Sequence, residues 1–390
     1  MGYSGPSLAV YALLGGIAVL QFLFSRYALL QRLLVFSVFA LLLVFIGFRG
    51  FVETDMHWYY PLFEEIPVFG DGILPYAFQV GVEPGFLLWT SLLKTLCPSY
   101  VFYTAVNTLV DLLLLTVVFN RYFPRRYYAL FMLLFLAFFG LTYEFNLLRN
   151  VKSMLLFLLS LKYVPEGRLG RYLAFNTVGL LFHWSAVLYM VLYGLLRRDF
   201  VQRRYWIVLG ISLVMYLLSP FIVKYLVWAV SLLHGTLGQR ASIYLSEGEY
   251  ARQKLFSLGD LDRMLMAVLI GWRFNRIKQS FRESNLFLHL YALYIFFAFC
   301  GHGMEILHTR VANLFVAGVW VLYVSLMQVE KRLPALALFF YFNLASLFKV
   351  WSQSDKNRFM QYDNYLLDEK VITFEERENY YYSVYSKIPK

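Results

Sequence analysis

Long apolar runs alternate with short polar breaks along almost the whole chain. The runs lie near 5–24, 33–48, 99–119, 127–143, 145–163, 205–218, 261–276, 285–300, 311–328 and 334–350. A bilayer's hydrocarbon core takes about 20 apolar residues per spanning helix. The runs are continuous and show no period-two alternation, so they predict helices and not barrel strands. Two further stretches, 83–96 and 219–233, are short for a span. A third, 171–196, is longer than one span needs and is interrupted at His183. The pattern predicts an all-α, polytopic transmembrane bundle of about ten spans with short re-entrant or interfacial helices. One membrane domain is expected over 1–350, with outer-face loops at 49–98 and 219–260. The polar, Tyr-rich stretch 351–390 is expected to form a small cap on the outer face.

The basic residues give the bundle a direction. Six clusters sit between apolar runs: Arg26 with Arg32; Arg121, Arg125 and Arg126; Lys162, Arg168 and Arg171; Arg197, Arg198, Arg203 and Arg204; Arg273, Arg276, Lys278 and Arg282; Lys331 with Arg332. By the positive-inside rule all six face the cytoplasm. Both ends then lie outside, which ten crossings satisfy. Segment 171–196 carries Arg171 before it and Arg197 after it, so a single crossing would put one cluster outside. A helical hairpin entering from the cytoplasm and turning near His183 resolves the parity. Each arm of about 12 residues rises roughly 18 Å. A bend at that depth requires protein or water around its backbone. The same parity makes 83–96 re-entrant or interfacial.

Composition agrees and excludes other classes. Hydrophobic residues make up 60% of the chain and charged ones 15%, against about 25% charged in soluble domains. Mean hydropathy is +0.58. The net charge of +11 falls in loop clusters, so nucleic acid is not the expected partner. The N-terminal run has no basic region before it and is read as a retained span. Cys97 and Cys300 lack metal-ligand spacing. There is no phosphate-cradling Gly loop, no GxSxG and no HExxH.

Ionisable groups near membrane depth are costly, and several lie at the expected outer ends of spans. Arg49, Glu53, Asp55 and Tyr59 fall within the run Arg49–Tyr60, together with His57, Trp58 and Tyr60. Carboxylates there suit acid–base work and aromatics suit sugar faces; an interfacial aromatic belt is the other reading. Glu83 precedes Pro84, which fits the first turn of a helix, and its carboxylate could simply sit at the positive helix end. Arg149 lies between apolar runs. Its planar fork suits a diphosphate, and the alternative is an arginine reaching to outer headgroups. His183 is either a base or phosphate donor, or a satisfied core residue. Arg240, Tyr244 and Arg310 are further outer-side candidates. His302, Glu305 and His308 lack a recognised ligand spacing, so no metal is expected.

These residues resemble the EpsG/Wzy-like family of bacterial exopolysaccharide and O-antigen polymerases. The matching pieces are Arg49 with Asp55 and Tyr59, then Glu83-Pro84-Gly85-Phe86, Arg149 opening a helix, and Phe182-His183-x-Ser185. Arg240 with Tyr244, Arg310 and Tyr362-x-Asn364-Tyr365 follow. The likeness runs from about 40 to 365. The family usually continues the Arg149 motif with small apolar residues, whereas here Asn150 and Lys152 follow.

The resemblance implies glycosyl transfer at the outer face of the bacterial inner membrane. Donor and acceptor would be oligosaccharide repeat units on undecaprenyl diphosphate, with the lipid diphosphate leaving. Asp55, Glu83 or His183 would serve as base. Arg149, Arg240 and Arg310, with Arg49, Tyr59 and Tyr244, would hold diphosphate and sugar. No cofactor is implied, and a chain-length regulator is a further implied partner beside the bilayer. Three rival activities fit the same outer-face residues. They are a polyprenyl-phosphate-sugar glycosyltransferase, a lipid-linked oligosaccharide flippase, and an acyltransferase with His183 as base. A flippase would favour an inverted repeat, and no internal repeat is visible.

Overall fold

Helices in this chain stop where a polar group or a proline interrupts the apolar run, and those stops place the chemistry. The computed structural model describes residues 5–70, 72–231, 256–302, 310–354 and 361–385. Among them every regular element is helical, and the one β-type pairing is an isolated antiparallel bridge between Arg49 and Asn364. The chain divides into two compact units, Met1–Tyr193 with Ala337–Lys390, and Gly194–Leu336.

Among the described residues five helices are long and apolar enough to cross a membrane by length and composition: Gly5–Leu23, Ala28–Gly47, Tyr100–Tyr122, Arg125–Phe145 and Arg332–Ser352. Shorter apolar helices are Ala186–Leu196, Ser284–Cys300 and Ala317–Val329. The described residues form an all-helical fold, and the chain is a multi-pass membrane protein.

In the first unit the order is α1 (Gly5–Leu23), α2 (Ala28–Leu42, closing in a π turn Leu43–Gly47), α3 (Met56–Glu65), α4 (Ile73–Val80), α5 (Pro84–Leu96) and α6 (Tyr100–Tyr122). Then come α7 (Tyr128–Phe135), α8 (Leu141–Phe145), α9 (Leu148–Ser160), α10 (Leu169–Phe182) and α11 (Ala186–Val191). The expected span 127–143 is one helix broken between α7 and α8. Phe138 and Phe139 leave helical geometry there, Phe139 with φ 75°. The expected span 145–163 shortens to α9, because residues 146–147 form a connection and Leu161–Tyr163 a 3₁₀ turn.

The hairpin expected at 171–196 is present. Helix α10 ends at Phe182, and His183 is extended (φ −160°, ψ 137°). Helix α11 then folds back along α10, so that the Tyr172 hydroxyl donates to the Tyr189 carbonyl. Tyr189 stacks on Phe157 of α9 at 4.2 Å, which fixes both arms to α9. Segment 83–96 is the separate short helix α5. Lys94 near its end donates to the carbonyls of Phe63, Glu64 and Ile66 at 2.7–2.9 Å, closing the C-terminus of α3.

The second unit contains α13 (Gln202–Ser231), following the one-turn helix α12 (Tyr193–Leu196), then α14 (Leu258–Lys278), α15 (Ser284–Cys300) and α16 (Ala317–Val329). The run 205–218 and the described part of 219–233, up to Ser231, merge into α13, of 30 residues. Asp260 holds one end of this unit. It shares a capping box with Ser257 and accepts from Tyr216 and Arg263. The chain continues as α17 (Arg332–Ser354) and ends its described part in α18 (Phe374–Tyr385).

Each of the six basic clusters falls at a turn between helices. Within the first unit α2, α6, α9 and α10 each have such a cluster beside one end. The opposite ends carry the candidates Arg49, Arg149 and His183.

Candidate functional site

Seven residues across the end of α8 and the start of α9, Glu144 to Asn150, contact Arg49, Asp55, Tyr59 and Glu83 and reach His183 through Ser185. At the start of this connection the Glu144 carbonyl accepts from the Arg49 guanidinium at 2.8 Å. Arg49 also donates to Ile46 at 2.6 Å and lies 4.8 Å over the Phe145 ring. Its side chain is buried, and its two bonds tie the end of α2 to the end of α8.

Two residues on, Asn146 reads the loop before α3. Its amide donates to Glu53 Oε2 at 3.3 Å and accepts from the Asp55 N–H at 3.4 Å. Glu53 has φ 71°, a left-handed conformation that non-glycine residues adopt at a cost. Burial pushes the Glu53 carboxyl up, the Asn146 hydrogen bond pulls it down, and the nearby Asp55 charge pushes it up again. Glu53 lay in the Arg49–Tyr60 run but was not among the expected site residues. Its backbone outlier and its tie to Asn146 are tertiary facts.

Arg149 occupies the first turn of α9. Its guanidinium donates to Glu83 Oε2 at 2.5 Å. It also bonds the Tyr59 hydroxyl, whose proton burial holds more tightly while Arg149 opposes that effect. The Trp58 ring lies 4.5 Å from the guanidinium and Phe86 lies 5.9 Å away. Glu83 sits at the N-cap of α5 yet makes no side-chain cap, because its carboxylate is turned to α9. The Arg149 side chain is 25% exposed and that of Glu83 is 5%. A cation with aromatic faces and one open side is thus held at the positive end of a helix.

The last residue of the connection reaches the hairpin. Ser185 Oγ donates to Asn150 Oδ1 at 3.2 Å and lies 2.9 Å from His183 Nδ1. The Ser185 N–H donates to the same Nδ1 at 3.1 Å, which makes Nδ1 the acceptor and leaves the neutral ring's proton on Nε2. Asn150 thereby ties the start of α9 to the hairpin turn. It anchors the turn that carries His183.

Lys152 is also paired. Its Nζ donates to Asp111 Oδ2 of α6 at 2.6 Å, with side chains 5% and 1% exposed. It lies one turn along α9 from Arg149 and joins α9 to α6 inside the apolar interior.

The polar tail docks beside Arg49. Tyr362 donates to the Phe45 carbonyl at 2.7 Å, and Asn364 Nδ2 donates to Val44 at 2.9 Å. The Tyr365 N–H donates to Phe48 at 2.8 Å. These bonds satisfy carbonyls that the π turn exposes at the end of α2. The motif Tyr362-x-Asn364-Tyr365 thus meets the Arg49 end of α2. From α18, Tyr381 packs on the His57 ring at 4.1 Å.

Arg49, Asp55, Tyr59, Glu83, Arg149 and His183 are therefore gathered on one connection. Arg310 is exposed and belongs to the second unit. Arg240, Tyr244, Glu305 and His308 lie outside the described residues. Among the described residues no three His, Cys, Asp or Glu side chains are grouped to hold a metal ion. Trp58, Asn146 and Ser185 complete the site without having been singled out as site residues.

The EpsG family profile matches residues 32–364, from the second turn of α2 to the tail residue that bridges Arg49. No curated protein and no solved structure matches the chain.

Proposed function

The chain belongs to the EpsG family, a polysaccharide polymerase-like family, and from that premise we propose that it polymerises oligosaccharide repeat units carried on undecaprenyl diphosphate. The reaction takes place at the outer face of the bacterial inner membrane, in a chain that crosses the bilayer ten times. An acceptor hydroxyl attacks the anomeric carbon of the donor, and the bond from that carbon to the lipid diphosphate breaks with its electron pair on the diphosphate. The observation that carries this reading is the convergence on Glu144–Asn150. A cation, carboxylates, an imidazole and an exposed tryptophan gather at helix ends remote from the basic clusters of the same helices.

Two kinds of donor can hold the leaving diphosphate there. Arg149 supplies a planar fork, and the first turn of α9 supplies backbone N–H groups at the positive helix end. Such preorganised donors act most strongly as charge builds on the bridging oxygen. Trp58, 40% exposed over Arg149, offers a ring face to the first sugar. Arg49 contributes by holding the connection in place. Glu53, Asp55 and Glu83 are the carboxylates beside the α8–α9 junction that can accept a proton, while His183, with Nδ1 already accepting from Ser185, offers Nε2–H as a donor.

The test is conversion of a defined undecaprenyl-diphosphate-linked repeat unit by the purified full-length protein. Products of two or more repeats are expected, with free undecaprenyl diphosphate released. Unchanged single repeats would overturn the reading. Because arginine and helix N–H groups carry the charge stabilisation, turnover should persist in a strong chelator. Loss of turnover restored by magnesium or manganese would favour a polyprenyl-phosphate-sugar transferase instead. In cells, a deletion strain should lose long chains while single units stay on their carrier; loss of all surface repeats would indicate a flippase.

A further inference from the structure

Arg149 is paired with a carboxylate at the place where the proposed reaction needs a phosphate. We infer that Glu83 is an internal stand-in for the leaving diphosphate: the donor lipid takes Arg149 from Glu83, and the released carboxylate becomes the base for the acceptor. This rests on the function proposed above and assigns it an order of events.

Four features of the pair support exchange. The contact is one-pronged, from Arg149 Nη1 to Glu83 Oε2 at 2.5 Å. Arg149 Nε is buried and finds no acceptor among the described residues. A guanidinium is best satisfied by two parallel bonds, which a phosphate can supply and this carboxylate does not. The end of α9 is also short of negative charge. No side chain caps it, and no acid lies in its first turn. Glu83 is the one carboxylate paired with Arg149 among the described residues, while Lys152 is matched separately by Asp111.

The open member of the pair is the cation. Arg149 is 25% exposed against 5% for Glu83, so an arriving anion meets the guanidinium first. The backbone of Glu83 does not have to move when its side chain lets go. Gly85, two residues on, packs against the end of α10, where an added Cβ would come within 2.6 Å of Leu181 Cβ and 2.8 Å of its carbonyl oxygen. That close approach keeps Glu83 near the turn carrying His183. A carboxylate clamped by a guanidinium has its lone pairs engaged; once released it can take a proton.

The step balances. The acceptor hydroxyl oxygen forms the new bond to the anomeric carbon, and its proton passes to Glu83. The old bond from that carbon to the diphosphate breaks, and the negative charge of the leaving group stays on Arg149 and the α9 N–H groups. Departure of the lipid diphosphate returns Arg149 to Glu83 once the carboxyl has lost its proton to water. Donor binding thus precedes release of Glu83, and an acceptor alone finds that carboxylate engaged by Arg149.

Opposite effects on binding and turnover test this. The purified full-length protein and its Glu83→Gln and Glu83→Asp variants are titrated with undecaprenyl diphosphate lacking sugar, and separately assayed with the lipid-linked repeat unit. Glu83→Gln should bind the carrier about tenfold more tightly, because the competing charge is gone. Its turnover should fall about 10²-fold, because the base is gone. Glu83→Asp, one methylene shorter, should also bind more tightly and keep part of its turnover. Arg149→Ala should lose carrier binding. Unchanged or weaker carrier binding in both Glu83 variants overturns the exchange, and full turnover in Glu83→Gln overturns the role as base. Absence of polymer from the unmodified protein would instead count against the proposed function, and the binding arm would still report on the exchange.

Discussion

Two ion pairs leave α9 one turn apart, and they do different things. Arg149–Glu83 and Lys152–Asp111 are almost equal in length, 2.5 and 2.6 Å. The second is sealed on both sides, while the first has one side open. The Coulomb attraction alone would not separate them. Solvent access does. A sealed pair can only be kept or broken, and breaking it leaves a buried charge with no partner. An open pair can be exchanged, because an incoming anion replaces the one removed. The teaching of the comparison is that α9 is pinned by one pair so that the other can be used.

The largest effect is expected where the sealed pair is broken. Lys152→Ala leaves the Asp111 carboxyl buried without its partner, which costs about 3–5 kcal/mol in stability. Purified Lys152→Ala should melt well below the unmodified protein in detergent and accumulate poorly in cells. Replacing both partners with apolar residues, Lys152→Met with Asp111→Leu, should recover most of that melting temperature. A double variant as unstable as the single would show that the pair's charges, and not its volume, hold α9 to α6.

Next comes the open pair. Arg149→Ala should insert and accumulate normally, with turnover down about 10²–10³-fold as for loss of one preorganised donor. Arg149→Lys keeps the charge and loses the fork, so it should be clearly impaired. Polymer of normal length at normal protein level in Arg149→Ala would reduce Arg149 to an interfacial anchor, and the two pairs would no longer differ in kind.

The smallest effect belongs to the residue next to both. Asn150 lies between Arg149 and Lys152 on α9, and it accepts from Ser185 in the hairpin turn. Ser185→Ala removes that bond and one partner of His183, a loss of about 1 kcal/mol. Turnover should fall several-fold, with melting temperature barely moved. A fall as large as that of Arg149→Ala would make the hairpin turn, and not the arginine, the centre of the site.

The chain's own pattern determined its class. Continuous apolar runs with basic clusters between them admit only membrane helices, since lipid leaves no other way to satisfy a backbone. The break at His183 was also legible, because two basic clusters flanked a run too long for one crossing. Arg49, Asp55, Tyr59, Glu83, Arg149 and His183 could be picked out because ionisable and aromatic groups at span ends stand out against apolar sequence. What those residues do to one another was not legible. Glu83 reads along the chain as a helix-end acid, and its partner lies 66 residues away on another helix. Lys152 and Asn150 read as misplaced polar groups until α6 and the hairpin supply Asp111 and Ser185. Glu53 carries no sequence mark of its left-handed backbone. Polarity is a property of each residue and can be read in order. Pairing depends on which helix ends meet, and only packing in three dimensions decides that.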